Sequence, residues 1–349
     1  LQKIINMIEL KKTSKIYIYC PGKVVTGGAE LLHQLCHILN ENSFDAYMVY
    51  FDNVYTSPQE YLQYNLKITN NVIDSSDNVV VLYEAIFDRY RNHPNCQLLL
   101  WWLSVDHFYI FSFTYLNIKD YFRWDYQMAI EVIIKRLAYL LLKQRNYFSK
   151  NISVKELSEL NAVNGYQSDY AKSYLKKNNF NKLMPLSDYI NPDFYSNSAV
   201  DIGKDNIILY NPKKGLAFTK KIIERLPGLN WVALEGMDRK TLKNVFQRSK
   251  LYIDFGYHPG KDRLPREAVL NDCCVLTGIL GSAGHYEDIP IASEYKIDQK
   301  TMSVSDIADK IEDILENYEF HIKNFSEYKN KTLNEQALFE QEVLRLFKI

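Results

Sequence analysis

At 349 residues, 47% hydrophobic and 24% charged, the chain has ordinary globular composition and enough length for two cores. Lysine plus arginine equals aspartate plus glutamate at 42 each, so no global field recruits nucleic acid and any anion site has to be built locally. The five cysteines (Cys20, Cys36, Cys96, Cys273, Cys274) lack CxxC spacing, which argues against a disulfide framework or a zinc site and favours a reducing, cytoplasmic setting. The chain starts at Leu1 without a basic-then-apolar leader, as expected of a trimmed or excised chain, and carries no membrane-spanning apolar run.

"KIYIYC" (15–20) reads as a strand, "AELLHQLCHILNENS" as a helix with apolar residues on one face, and "DAYMVYFD" as the next strand. This βαβ opening predicts a parallel sheet. "NVVVLYE" (78–84) and "CQLLLWWLSV" (96–105) are continuous apolar runs, the pattern of strands buried on both faces. Residues 109–160 are aromatic and mostly helical in period, with Lys119, Arg123, Lys135, Arg136, Lys143, Arg145 and Lys150 among them. That stretch predicts helices packed on the sheet, with a basic aromatic face over 109–150 suited to a membrane surface or a lipid-linked substrate. "GYQSDYAKSYLKKNNF" is a strand end and a helix, and the Pro-, Asn- and Asp-rich stretch 185–206 marks a linker. A second α/β series follows in "NIILYNPKKG", "LAFTKKIIERLP", "NWVALEG", "DRKTLKNVFQRS", "KLYIDFG", "RLPREAVLND" and "CCVLTG", and the remainder is helical. The order predicts two Rossmann-like domains with a cleft between them, 1–195 and 200–325, with the C-terminal helix 326–349 packing back on the first.

Charge is concentrated in "HPGKDRLPREA", between two segments that read as buried. If "LYIDFG" is a parallel strand, this segment lies at its carboxyl end and enters a helix, where N–H groups and partial positive charge suit a phosphate. Lys261, Arg263 and Arg266 add full positive charges, and arginine grips phosphate oxygens in a bidentate way. Glu267 repels phosphate but accepts hydrogen bonds from sugar hydroxyls. The competing reading is a solvated turn with Asp262 paired to Arg263 or Glu267 to Lys261. "PKKG" supplies Lys213 and Lys214 at the end of an upstream strand.

In the first half, Gly27 and Gly28 precede a helix and allow backbone N–H groups to approach a diphosphate, or simply form a tight turn. Asp106 and His107 follow an apolar strand and are candidate catalytic groups, with a structural histidine as the alternative. His33 and His37 share a helix face without an acidic partner and read as packing or solvated; His285 is a weaker cleft candidate. No Gly-x-Ser-x-Gly elbow, HExxH motif or strand-end Asp-x-Asp is present, which disfavours a serine hydrolase, a zinc protease or a metal-dependent transferase.

The run "SKLYIDFGYHPGKDRLPREAVLNDCCVLTG" resembles the donor-binding segment of GT-B glycosyltransferases, nearest the retaining family-4 kind of bacterial surface-polysaccharide synthesis. "NPKKG", "WVALEGMDRKTLKNVFQRS" and "GGAELLHQL" extend the likeness over most of the chain, with the specific part at about 207–290. The resemblance implies that Glu267 is the second glutamate of a Glu-x7-Glu motif holding the nucleotide ribose. The first falls at Pro259, leaving His258, Lys261 or Asp262 to take its place. It further implies that Lys213 and Lys214 meet the diphosphate, and that Arg263 or Arg266 replaces an arginine missing from "IILY". Gly236 would line the base and His107 contact the donor sugar.

The function so implied is transfer of a sugar from a nucleotide sugar to a glycan or lipid-linked acceptor in capsule or lipopolysaccharide synthesis. The expected reaction is retaining and uses neither metal nor cofactor, at the inner face of the cytoplasmic membrane and without a nucleic-acid partner. A nucleotide-sugar epimerase of the same fold, or a non-catalytic module of a larger synthase, are the alternatives.

Overall fold

Continuous apolar runs become the interior strands of two all-parallel sheets, because a strand covered by helices on both faces exposes neither set of side chains to water. The computed structural model describes residues 8–52, 54–111, 124, 126–142, 152–195 and 203–348. The chain divides into two units, Leu1–Asp188 with Gln336–Ile349, and Tyr189–Glu335.

In the first unit, β1 (Ile8–Glu9) pairs only with β13 (Phe347–Lys348). The main sheet contains β2 (Lys15–Cys20), β3 (Asp45–Tyr50), β4 (Val79–Tyr83), β5 (Gln97–Trp102), β6 (Ala162–Tyr166) and β7 (Leu183–Pro185), ordered β3-β2-β4-β5-β6-β7. The chain leaves β2 through α1 (Gly27–Glu41) to β3, then crosses back to place β4 on the other side of β2. Between β2 and β4 the winding reverses, and the carboxyl-end loops on either side diverge and leave room for a ligand. The apolar run 96–105 is not one strand: β5 ends at Trp102 and α2 (Val105–Phe111) starts three residues later. Two tryptophans are buried there without polar cost, since Trp101 Nε1 donates to Leu186 O at 2.8 Å and Trp102 Nε1 to Asn164 Oδ1 at 3.2 Å.

Within 109–160, helices Tyr126–Leu142 and Val154–Glu159 are described, the second closed by a Ser153/Glu156 capping box. Of the basic residues noted there, Lys119, Arg123, Lys143, Arg145 and Lys150 lie outside the described residues.

The second unit holds β8 (Asp205–Tyr210), β9 (Asn230–Ala233), β10 (Ser249–Asp254), β11 (Cys274–Gly278) and β12 (Lys296–Ile297), ordered β12-β11-β10-β8-β9. The reversal lies between β8 and β10, in register Ile253 opposite Tyr210. Hence "NPKKG" and "GYHPGKDR", 40 or more residues apart in the sequence, emerge side by side. Their backbones touch. A Cβ on Gly215, whose φ of +61° already favours glycine, would meet Gly256 N at 2.7 Å, and a Cβ on Gly256 would meet Lys214 Cβ at 2.2 Å.

That contact is testable by urea denaturation. Gly256→Ala should lower stability by about 1–3 kcal/mol through overpacking. Gly228→Ala, with nothing within 4 Å of the added methyl, should leave the midpoint nearly unchanged.

Candidate functional site

Asp254 ends β10, and its carboxylate is the first group of a buried charged chain at the second unit's switch point. Its Oδ1 accepts Gly256 N–H at 3.0 Å, and its Oδ2 accepts Tyr252 Oη–H at 2.9 Å and Asn211 Nδ2–H at 3.3 Å. His258, fully buried, lies between two carboxylates, with Nε2 3.6 Å from Asp254 Oδ1 and Nδ1 2.9 Å from Asp262 Oδ2. Neither contact is aligned as a hydrogen bond, so the attraction is ionic. Burial alone would push the imidazole down, but Asp254 and Asp262 outweigh it and raise the pKa to about 9, leaving the ring charged at neutral pH. Asp262 pays a burial penalty too, yet Lys214 and His258 hold it well below the usual carboxylate range.

Asp254, His258 and Asp262 also form a group with metal-binding donor types, their ligand atoms within 4.8 Å of one another. The donor set fits a cation poorly. Asp254 is occupied by three donors, the Lys214 ammonium sits on Asp262, and the histidine itself occupies the space between the carboxylates. The imidazolium is the cation the site is built around.

Helix Arg263–Leu270 starts directly beyond. Asp262 stands at its N-cap but caps nothing, because its carboxylate is held by Lys214 and His258. Arg263 Nε donates to Glu267 Oε1 at 3.1 Å, which fixes the buried glutamate one turn into the helix. Arg266 is fully buried. It donates to the Asp262 and Lys261 carbonyls and pairs with Glu335 at 2.8 Å, while Lys261 takes the other Glu335 oxygen at 2.7 Å. Arg266 and Lys261 therefore hold the loop against Glu335 rather than stand open to a ligand. In place of the competing reading's pairs, Asp262 with Arg263 or Glu267 with Lys261, stand Asp262 with Lys214 and His258, Glu267 with Arg263, and Glu335 with Lys261. Nor is the segment a solvated turn, since Pro265 through Leu270 are buried.

Lys213 is exposed at the mouth of the same loop. Gly236, in the loop after β9, is exposed with φ of +67°. The backbone of His258 bridges to Gly281, with Ser282 N–H donating to His258 O at 2.8 Å, so the loop after β11 is tied to the cluster. His285 is half-buried three residues beyond that contact.

The first unit has its own group at the switch point. Thr26 caps α1 through Ala29 N–H, so Gly27 and Gly28 lie in its first turn, with Gly28 facing Leu103. Asp52 organises the preceding loop by accepting Gly22 N–H and Lys23 N–H. Asp106 is not available as a cleft carboxylate: it is buried, accepting Trp124 Nε1–H at 2.6 Å and Tyr170 Oη–H at 3.1 Å. His107, its neighbour on α2, keeps 45% of its side chain exposed and approaches Glu84 at 3.9 Å. His33 packs against Tyr50 and Tyr61, its Nδ1–H donating to Ala29 O and its Nε2 accepting from Tyr50 Oη–H, and burial lowers its pKa to about 4; His37 contacts Tyr64 O. Both are packing residues.

Three acids that matter here went unmarked in the sequence. Asp254 and Glu84 each end an apolar strand, and an acid at that place is a readable signal. Glu335 has no local signal, being 69 residues from the arginine it holds.

No family model and no curated protein matches the chain. Among solved structures it is similar to HepE of Anabaena in complex with UDP-glucose, at 10% identity over 94% of this chain and 98% of that one, TM-score 0.57. It is similar to sucrose-phosphate synthase of Thermosynechococcus elongatus at 11% identity, covering 95% and 97%, TM-score 0.60. It is also similar to WaaG, a glycosyltransferase involved in lipopolysaccharide biosynthesis, at 10% identity, covering 94% and 99%, TM-score 0.55. The fold is that of the GT-B glycosyltransferases, built on two Rossmann-like units.

The charged histidine gives a signed pH dependence. Because its folded pKa (about 9) is raised above the ordinary 6.5, His258 contributes its full stabilisation below pH 6.5 and loses it as pH rises through 9. The difference in urea midpoint between wild type and His258→Gln should accordingly be largest near pH 6 and shrink steadily up to pH 9.5.

Proposed function

We propose that the chain is a glycosyltransferase that moves a sugar from a nucleotide-sugar donor to a glycan or lipid-linked acceptor. The observation that supports this best is the charge balance at the second unit's switch point. Lys213, Lys214, charged His258, Lys261, Arg263 and Arg266 face four carboxylates, Asp254, Asp262, Glu267 and Glu335. Two positive charges remain, beside a helix N-terminus that no side chain caps. A nucleoside diphosphate matches that charge and that place.

In this reading exposed Lys213, the Arg263 guanidinium and the N–H groups of helix Arg263–Leu270 receive the diphosphate, and stabilise it as it departs. Lys214 and His258 hold the loops in position. Glu267, oriented by Arg263, accepts from the ribose hydroxyls, and Gly236 leaves room beside the base. The first unit's own candidate groups for a sugar are His107, as the family resemblance implies, and the backbone N–H groups in the first turn of α1 at Gly27 and Gly28. Protein cations carry the charge that a divalent ion supplies elsewhere, so the reaction is metal-independent. Retention follows the family-4 resemblance of the "PREA" segment, as does a role in capsule or lipopolysaccharide assembly.

Thermal stability with UDP, GDP, dTDP, CMP and ADP in turn tests the reading. A nucleotide at about 100 times its dissociation constant should add roughly 2.7 kcal/mol. Lys213→Ala and Glu267→Gln should lose most of that gain. If no nucleotide stabilises the wild type, the chain is better read as a non-catalytic module of the same fold.

The acceptor side uses helix Tyr126–Leu142, where Ile130, Ile133, Ile134, Leu137 and Leu141 recur at helical spacing and are 42–80% exposed. No described helix is long and apolar enough to cross a membrane. An exposed apolar stripe of this length suits lying in the lipid interface at the inner face of the cytoplasmic membrane. The wild type should float with liposomes containing anionic lipid at low salt, and Ile134→Ser/Leu137→Ser should not; a wild type that ignores them removes this part of the reading.

A further inference from the structure

We propose that Glu84 is a positioning residue for His107, setting which ring nitrogen carries the proton and so how the imidazole meets the donor sugar. The inference rests on the glycosyltransferase reading for the identity of what His107 meets, but not for the relation between the two side chains.

Glu84 follows the last residue of β4, and His107 lies in the first turn of α2 after β5, the neighbouring strand. Parallel pairing of Tyr83 with Trp101 brings both to the carboxyl edge of the sheet. The Glu84 side chain is 4% exposed and its Oε2 accepts Leu103 N–H at 3.1 Å, which anchors one oxygen. The other, Oε1, lies 3.9 Å from His107 Nδ1. That is contact just outside hydrogen-bond distance, close enough for the protonation state of Glu84 to bear on Nδ1 in the free chain. The residue is held from other sides as well: the backbone N–H of His107 donates to Ser104 Oγ at 3.2 Å, and Phe111, one turn on, meets the imidazole edge-on with centroids 5.7 Å apart. With Nδ1 turned to Glu84, Nε2 is the ring's other hydrogen-bonding atom.

A buried carboxyl can play this part in two ways. Ionised, it accepts from Nδ1–H; protonated, it donates to Nδ1 and fixes the proton on Nε2. Burial raises Glu84 to about 8 against backbone N–H groups of Leu103 and Ser104 that favour the ionised form. At neutral pH the acid is therefore mostly protonated, and Nε2–H is the tautomer it selects. Nε2 then donates to a sugar hydroxyl instead of competing as a base. The titratable groups around this end of β4 include Tyr83, whose phenol is itself pushed well up by burial and stays neutral throughout, and Arg89, Asp52 and Cys20, which lie near enough to act on it.

The experiment is nitrogen-15 NMR of the full chain labelled at histidine, with His107→Ala to assign the ring signals. It needs no donor, so it decides the role of Glu84 even if no nucleotide ever binds. Wild type should show the Nε2–H tautomer at pH 6.5–7.5 and a change in the His107 ring shifts through about pH 8. Glu84→Gln, whose amide donates as the protonated acid does, should keep the Nε2–H tautomer and lose the change near pH 8. Glu84→Ala should give averaged shifts of mixed tautomers. Ring shifts of Glu84→Ala identical to wild type would overturn the proposal, as would a change near pH 8 that survives in Glu84→Gln. Should the alanine variant not fold, the glutamine titration decides alone. Where UDP binds, UDP-glucose affinity should fall in Glu84→Ala while UDP affinity holds; equal loss of both would refute a role at the sugar.

Discussion

The backbone contact between Gly215 and Gly256 is the constraint on which the second unit's site depends. Parallel winding brings the loops after β8 and β10 to neighbouring positions, but only residues without a Cβ on both sides allow them to touch. From that contact follows the reach of Lys214 to Asp262, and from Asp262 the placement of His258. Asp254 completes the chain from the strand side, held by three hydrogen bonds of its own. The loops are thus fixed by sterics first and by charge second.

Charge then does two kinds of work in one segment. Buried ions are expensive unless paired, and every buried cation of "HPGKDRLPREA" has a carboxylate opposite it. Arg266 and His258, both fully buried, are the least available to solvent, whereas Lys213 and Arg263 keep contact with it. The surplus of positive charge is what remains after the fold's own ion pairing is met. The same reasoning separates Asp106 from His107 in the first unit. Adjacent on one short helix, they differ by about a third of a turn, which sends one into the interior with Trp124 and Tyr170 and leaves the other half-exposed beside Glu84.

The longer strands and helices were legible because their periods are. Runs such as "VVVLY" and "CVLTG" are buried on both faces, and the α1 stripe repeats at helical spacing. β7 and β12, three and two residues long, are too short to carry a period, and β1 and β13 exist only by pairing across nearly the whole chain. The turn from β5 into α2 was hidden because "WWLSV" remains apolar across the change of structure.

By itself, the sequence determined the α/β class, the strand order along the chain, and the presence of a charged segment at a strand's carboxyl end. Those properties are local, set by side-chain period and by residue type within a few positions. Which charges stay exposed and which are consumed in internal ion pairs was decided by tertiary structure alone. Glu335 reaches Lys261 and Arg266 from far along the chain, and Lys214 reaches Asp262 across two loops. Ion pairing depends on distance in space and on burial, and neither is written in the spacing of residues along the chain.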